Sequence, residues 1–145
     1  TQSSLASLPA MLKASEAVGV PAERADVILP IAVALFRFTG PAMNLAVAIY
    51  VAHIFGINPD PLTLAVCVGV ATMTSLASVS LPGTISFITA ISPIAVAMGV
   101  PLAPLAILVA VEQLPDIFRT LGNVTMDVGV TAAIDKSVPQ EEPKP

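Results

Sequence analysis

Long apolar stretches, separated by small groups of polar residues, dominate the hydrophobic pattern of this chain. The first, Leu8 to Val18, has apolar positions at helical spacing and is followed by the helix-stop signals Gly19 and Pro21. A much longer stretch runs from Val27 to Asn58 and exceeds the roughly 20 residues that a helix needs to cross a bilayer. The pattern therefore predicts a short helix followed by a membrane-spanning segment.

The long segment is interrupted near its middle. Its charged or readily protonated side chains are Arg37 and His53, and Thr39-Gly40-Pro41 lies between them. Because glycine frees the backbone and proline removes a hydrogen-bond donor, we expect an unwound stretch at these three residues. Residues 21–60 are therefore predicted to form a broken transmembrane helix.

The next segment, Pro61 to Val111, contains no Asp, Glu, Lys, Arg or His. Ser80-Leu81-Pro82-Gly83-Thr84 interrupts it near its middle. Two full spans are one interpretation, but the turn between them has no charge to hold it at a water interface. We favour a re-entrant helical hairpin over residues 61–100, because irregular backbone at membrane depth survives only against protein or a wet cavity.

The last predicted helix runs from about Ala103 to Ile134 and forms a final span over residues 101–134. Residues 135–145 are polar and rich in proline, and we expect them to form a disordered tail. Two broken apolar segments in one chain are the pattern that indicates a transporter binding site.

Composition supports a membrane protein. Of the 145 residues, 55% are hydrophobic and only 11% are charged, whereas soluble domains carry roughly 25% charged residues. The few scattered basic residues give no sign of nucleic-acid binding. The sequence contains no Ser-His-Asp set, metal cluster or phosphate loop that would indicate an enzyme. The predicted class is an all-α integral membrane protein, in which the single cysteine, Cys67, has a packing role.

The final predicted helix carries a polar face. At about 100° per residue, six polar side chains fall within an arc of about 100°. These are Glu112, Asp116, Arg119, Thr120, Asn123 and Asp127. Asp116 and Arg119 can neutralise each other at i, i+3 without any ligand. Asn123 and Asp127 add further donors and acceptors, so we favour a site that holds an amine, a carboxylate and a small cation.

The same residues carry a family resemblance. The segment from Asp116 to Asp127 resembles the D-x-x-R-T-x-x-N-V-x-G-D signature of the glutamate/aspartate family of dicarboxylate/amino acid:cation symporters, with Met126 at the glycine position. Two weaker motifs resemble the tips of that family's two re-entrant hairpins. They are Ser3-Ser4 with Ser7-Leu8-Pro9, and Leu81-Pro82-Gly83.

The resemblance implies a role for each matching residue. Asp116 would bind the substrate amino group, and Arg119 would bind the side-chain carboxylate, for which its planar fork is suited. Thr120 would line the pocket, and Asn123 would contact the backbone carboxylate of the substrate. Asp127, with Asn123 beside it, would bind sodium. Ser3, Ser4, Pro82 and Gly83 would belong to the two hairpin tips that enclose the substrate.

The resemblance also implies an architecture. Residues 1–20 would be the second arm of the first hairpin, and the chain would form the C-terminal half of an elevator-type transport domain. The whole protein would be a homotrimeric, multi-pass protein of the cell (inner or plasma) membrane. It would be a symporter for acidic amino acids such as aspartate or glutamate.

One segment departs from the family. Where the family carries the sodium ligands N-M-D-G-T, this chain has Phe36-Arg37-Phe38-Thr39-Gly40, and Ala34 replaces an earlier threonine ligand. Because sodium needs oxygen ligands, the coupling ion could be Na⁺ or H⁺. Arg37 is either a snorkelling or structurally paired arginine, or a substitute for the sodium ion that neutralises Asp127. If Arg37 points away instead, Asp127 could carry a proton.

Two other functions remain open at this stage. A carrier of C4-dicarboxylates would use a similar site, although Asp116 would repel a ligand that has no amine. A non-transporting membrane fragment of such a carrier is the other alternative, because the sodium ligands are lost.

Overall fold

The computed structural model describes residues 3–78 and 83–138, and every regular element within these ranges is helical. A single 3-10 turn, Leu5–Ser7, precedes the first α-helix. The α-helices are α1 (Leu8–Ala17), α2 (Ala22–Leu35), α3 (Thr39–Ile54), α4 (Pro61–Ala77), α5 (Gly83–Met98), α6 (Ala103–Leu108) and α7 (Gln113–Ser137).

Three of these helices end in the same way. Gly19, Gly56 and Gly99 follow α1, α3 and α5 with φ angles of 93°, 67° and 73°. After α1, Val20 N–H donates to the Ser15 carbonyl at 3.0 Å and Gly19 N–H donates to the Glu16 carbonyl at 3.0 Å. This pair of bonds is a Schellman motif, which satisfies carbonyls that the helix leaves free. Glycine adopts the left-handed backbone without a Cβ penalty.

The broken helix is interrupted three residues earlier than the sequence pattern suggested. Residues 36–38 form the break, and the expected Thr39-Gly40-Pro41 begins α3 instead. Proline is tolerated in the first turn of a helix, but its ring clashes with the carbonyl four residues earlier. For Pro41 that residue is Arg37, so the chain leaves helical geometry around Arg37.

The final predicted helix is also interrupted. The expectation of one helix from Ala103 to Ile134 was wrong, because turns at residues 109–112 separate α6 from α7. Pro115 cannot donate to the carbonyl of Val111, and its ring excludes that carbonyl from helical geometry. At its other end α7 continues to Ser137, beyond the predicted start of the tail at residue 135. The Arg24 guanidinium binds the Asp135 carboxylate at 2.9 Å and stabilises this last turn.

Helices α4 and α5 form an antiparallel pair. They pack against each other, and the Cys67 Sγ lies 3.9 Å from the Ile94 carbonyl oxygen. Cys67 is a buried free thiol, in keeping with a packing role. Residues 79–82, which include Pro82 of the predicted hairpin tip, lie outside the described residues.

The helices form two packing units, and the broken helix belongs to both. In the first unit α1, α2 and α7 surround a core that includes Met11, Leu29 and Val33. In the second unit α3, α4 and α5 surround a larger core that includes Phe87 and Ile94. Because α2 packs in one unit and α3 in the other, residues 36–38 lie at the junction, where α3 also contacts α7.

Length and composition single out one helical segment of the described chain that could cross a membrane. This segment is Ala22–Ile54, with 33 residues, and its most apolar 18 residues have a mean hydropathy of 1.5. Pro61–Ala77 and Thr84–Met98 are apolar but shorter. Large apolar side chains are exposed on several helices, for example Leu62 on α4 and Phe118 on α7.

Candidate functional site

Helix α7 turns its polar side chains inward and its apolar side chains outward. Arg119, Asn123, Asp127, Thr131 and Asp135 are the buried residues of this helix. Leu114, Ile117, Phe118 and Leu121 are exposed on the other side. This is the reverse of a helix in a soluble protein, and it suits a helix whose outer face meets an apolar medium.

Two carboxylates hold the guanidinium of Arg119. The Nη2 atom lies 2.9 Å from Glu112 Oε1, and the Nη1 atom lies 3.5 Å from Asp116 Oδ1. Glu112 and Arg119 are both more than nine-tenths buried. The contact with Glu112 is an ion pair whose geometry does not make a hydrogen bond. The N–H groups at Nε and Nη2 of Arg119 therefore have no hydrogen-bond acceptor in the described chain. The guanidinium thus keeps hydrogen-bonding capacity that the described chain does not use.

The first residue of α3 connects the two packing units through Asn123. Thr39 N–H donates to Asn123 Oδ1 at 3.0 Å. The Thr39 hydroxyl lies 3.0 Å from the same Oδ1 and 3.1 Å from the Arg119 carbonyl oxygen, and it can donate its proton to either. A Cβ added to Gly122 would lie only 2.7 Å from Thr39 Cγ2, so a glycine at this position permits the close approach.

Asp127 is 1% exposed, and neither of its carboxylate oxygens has a hydrogen-bond partner in the described chain. Arg37 lies within electrostatic range of Asp127, Asp116 and Arg119. The ion pairs within residues 3–78 and 83–138 are those of Arg24 and Arg119 described above, so a direct Arg37–Asp127 ion pair is not formed. Direct neutralisation of Asp127 by Arg37 is therefore absent from this structure.

The side chains at the predicted sodium position offer few free oxygen atoms. Asn123 Oδ1 already accepts a hydrogen bond from Thr39, and Phe36 and Phe38 contribute rings. These two rings stack at a centroid separation of 5.5 Å with an angle of 11° between their planes. Among Asn123, Asp127, Phe36 and Phe38, the carboxylate of Asp127 thus supplies the side-chain oxygens that are free to bind an ion. Hard cations take several oxygen ligands, so one carboxylate is too few.

The remaining predicted site residues are placed separately. Thr120 is half-buried on α7. Ser3 and Ser4 are half-buried at the start of the described chain, where the Ser3 hydroxyl accepts from Ala6 N–H at 3.3 Å and the Ser4 carbonyl accepts from Ser7 N–H at 3.1 Å. Gly83 is the first residue of α5, and Pro82 lies outside the described residues.

Two residues of this site were missing from the set predicted to bind ligands or ions. Glu112 lies on the predicted polar face, and its spacing of seven residues from Arg119 was a usable signal, because residues two turns apart share a helix face. Thr39 gave no such signal, since its contact with Asn123 depends on how α3 packs against α7.

An all-helical apolar chain with a buried charged face has the features of a helical membrane protein that handles a polar solute. A family model described as the sodium:dicarboxylate symporter family matches residues 1–137, and the chain therefore belongs to this family. The family consists of membrane transporters rather than enzymes, so the predicted membrane location and transport class are confirmed at this level. No curated protein and no solved structure matches the chain.

Proposed function

We propose that this chain forms the substrate-binding half of a carrier for acidic amino acids such as aspartate and glutamate. The observation that carries the proposal is the buried cluster of Glu112, Asp116 and Arg119, in which Arg119 keeps unsatisfied donors. Its planar guanidinium suits a carboxylate, and Asp116 supplies a counter-charge for an amine. Asn123 and Thr120 lie on the same helix face for the second carboxylate.

The excess of negative charge in the cluster supports a substrate that carries an amine. Glu112 and Asp116 bring two carboxylates to one guanidinium. A dicarboxylate without an amine would add two further anions without any cation, and like charges in a site with little water repel each other strongly. An acidic amino acid brings its own ammonium group and is favoured on this ground.

Helix lengths support a re-entrant hairpin for residues 61–100. Helices α4 and α5 have 17 and 16 residues. At 1.5 Å per residue each is about 25 Å long, shorter than the hydrocarbon core of about 30 Å. In the proposed carrier the tip at Pro82 and Gly83 and the serines Ser3 and Ser4 enclose the substrate. The whole protein is proposed to be a multi-pass homotrimer of the cell membrane.

Substrate binding to the reconstituted protein that contains this chain tests the proposal. Arg119→Ala should weaken aspartate or glutamate binding far more than binding of a neutral amino acid, because the second carboxylate is left desolvated and unpaired. Asp116→Asn is the matched variant, and it should weaken ligands with an amine while sparing plain dicarboxylates. Equal losses for acidic and neutral ligands in Arg119→Ala would contradict the assignment.

The coupling ion is the second part of the proposal. We propose that substrate binding needs no sodium at the break, because Phe36 and Phe38 supply no oxygen ligand and Arg37 places a permanent cation near Asp127. The charge of Arg37 then acts on Asp127 through space rather than through an ion pair. Any remaining coupling comes from protons or from other sites.

Binding in different salts tests the coupling. The protein should bind acidic amino acids equally well in sodium, potassium and choline buffers, and Arg37→Met should weaken that binding. Replacing residues 36–40 together by Asn-Met-Asp-Gly-Thr should make binding depend on sodium. Sodium-dependent binding by the unmodified protein would show that the proposed role of Arg37 is wrong.

A further inference from the structure

A cavity of about 180 Å³ lies beside the break between α2 and α3. Phe36, Arg37, Phe38 and Pro41 line it from the broken helix, and Thr72 and Ser75 line it from α4. Because a water molecule occupies about 30 Å³ in the liquid, the cavity has room for a small ion with some water or for one carboxylate group. The residues described above for the substrate, Asp116 to Asn123, do not line it.

Arg37 brings an unsatisfied positive charge to this cavity. Its Nε atom is buried and has no hydrogen-bond acceptor, and Arg37 forms no ion pair with any residue of the described chain. Asp116 and Asp127 interact with it only at longer range, and Arg119 repels it. Arg37 is half-buried and its Nε atom is fully buried, so an anionic partner would stabilise this partly desolvated charge.

The wall from α4 adds a donor. The Asn44 Nδ2 group donates to Ser75 Oγ at 3.3 Å, which leaves the proton of the Ser75 hydroxyl for another acceptor. The hydroxyl of Thr72, in contrast, donates to the Val68 carbonyl at 2.9 Å. The lining contains a guanidinium and a hydroxyl donor but no carboxylate, and this combination suits an anion rather than a cation.

The stacked rings of Phe36 and Phe38 form an apolar wall of the same cavity. The two rings are 37% and 42% exposed, and they give the cavity an apolar side with a lower dielectric constant than water. The attraction between Arg37 and a bound anion is thereby strengthened relative to the same pair in water.

From these contacts we infer that the cavity beside Arg37 is a binding site for one small anionic group with a single negative charge. Two sources share this chemistry, a free halide and a carboxylate of the transported substrate. The halide requires nothing from the proposed function, whereas the substrate carboxylate rests on it. In that case Arg37, rather than Asn123 and Thr120, would bind the second carboxylate and would be a second residue that determines specificity.

Thermal unfolding without substrate tests the site. The purified full-length protein that contains this chain is heated in rising concentrations of choline chloride or choline bromide, and Arg37→Met in the same salts is the reference for general salt effects. Because a ligand that binds only the folded state stabilises it, we expect a saturable rise of about 2 °C in the halide salts. Arg37→Met should abolish the rise, and Arg37→Lys should keep part of it. A midpoint that rises equally in the unmodified protein and in Arg37→Met, or in neither, would overturn the site.

Two controls keep this test decisive. Arg24→Met removes another arginine, one that is paired with Asp135 outside the cavity, and it should leave the halide effect unchanged. If Arg37→Met fails to fold, Ser75→Ala should raise the halide Kd, and crystals soaked in bromide should show an anomalous peak beside Arg37. Crystals without that peak, or a halide effect that survives Arg37→Met, would overturn the proposal.

Competition with substrate distinguishes the two sources. If the substrate carboxylate occupies the cavity, rising halide should increase the Kd of aspartate at constant ionic strength, and Arg37→Met should abolish this competition. If a free halide is the occupant, the Kd of aspartate should stay unchanged while the thermal effect persists. Loss of acidic substrate binding in Arg119→Ala with an intact halide effect would separate this site from the proposed substrate site.

Discussion

Gly122→Ala tests the contact that connects the two packing units. The added Cβ would lie 2.7 Å from Thr39 Cγ2, whereas carbon atoms in contact are about 3.5–4.0 Å apart. The helices must therefore separate by about 1 Å, or Thr39 must rotate and lose its contacts with Asn123 and the Arg119 carbonyl. Overpacking of this kind costs about 1–3 kcal/mol.

A gain in helix propensity offsets part of this cost. Alanine is more favourable than glycine inside a helix by about 1 kcal/mol, so the net destabilisation from Gly122→Ala should be about 0–2 kcal/mol. Gly129→Ala on the same helix is the matched control, because nothing lies within 4 Å of an added Cβ there. The control should gain stability, which places the two variants about 1–3 kcal/mol apart.

Unfolding of the purified protein in detergent, followed together with aspartate binding, measures both effects. Thr39→Ser removes the methyl group and keeps the hydroxyl, so in the double variant with Gly122→Ala it should recover most of the lost stability. Gly122→Ala should also weaken binding, because Asn123 loses the backbone donor that orients its amide. Equal stability of Gly122→Ala and Gly129→Ala within about 0.5 kcal/mol would refute the close approach.

Two further predictions concern charged groups at helix ends. Thr63 N–H donates to Asp60 Oδ1 at 2.7 Å, and this bond holds the pKa of Asp60 below its ordinary value of 3.8. Because the unfolded state then binds more protons, the stability from Asp60 is complete above about pH 5 and is lost as the pH falls through the folded pKa. In unfolding measured as a function of pH, Asp60→Asn should reduce the loss of stability at acid pH. An unchanged loss would contradict the prediction. For the Arg24–Asp135 pair, a double-mutant cycle with Arg24→Met and Asp135→Asn should give a coupling of about 1 kcal/mol, and additive effects would show that the pair does not stabilise the end of α7.

The sequence predicted those features of the fold that depend on local chemistry. Gly19 with Pro21 indicated the end of α1, because glycine is needed where the backbone turns left-handed. The break at residues 36–38 was misplaced and the break at residues 109–112 was not predicted, and both errors share one cause. Proline acts on the carbonyl four residues before it, so a break lies upstream of Pro41 and of Pro115 rather than at them.

The site was predictable to a similar extent. The shared helix face of Asp116, Arg119, Asn123 and Asp127 follows from helical periodicity, which needs no knowledge of packing. The contact of Thr39 with Asn123 and the absence of an Arg37–Asp127 ion pair depend on how α3 is placed against α7. A linear pattern does not contain this placement, because it results from the packing of two separate cores.

The inward polar face of α7 has a consequence for how the protein is made. A charged side chain at the centre of a helix opposes insertion by about 2.5–3.5 kcal/mol, and α7 carries Arg119 and Asp127 on one face. The helix is therefore a poor substrate for a translocon on its own. Its partners α2 and α3 are synthesised earlier. They can pack against the polar face of α7, where Thr39 contacts Asn123. In the proposed carrier, biogenesis of α7 is thus an assembly step, in which a late helix enters the bilayer by docking onto earlier ones.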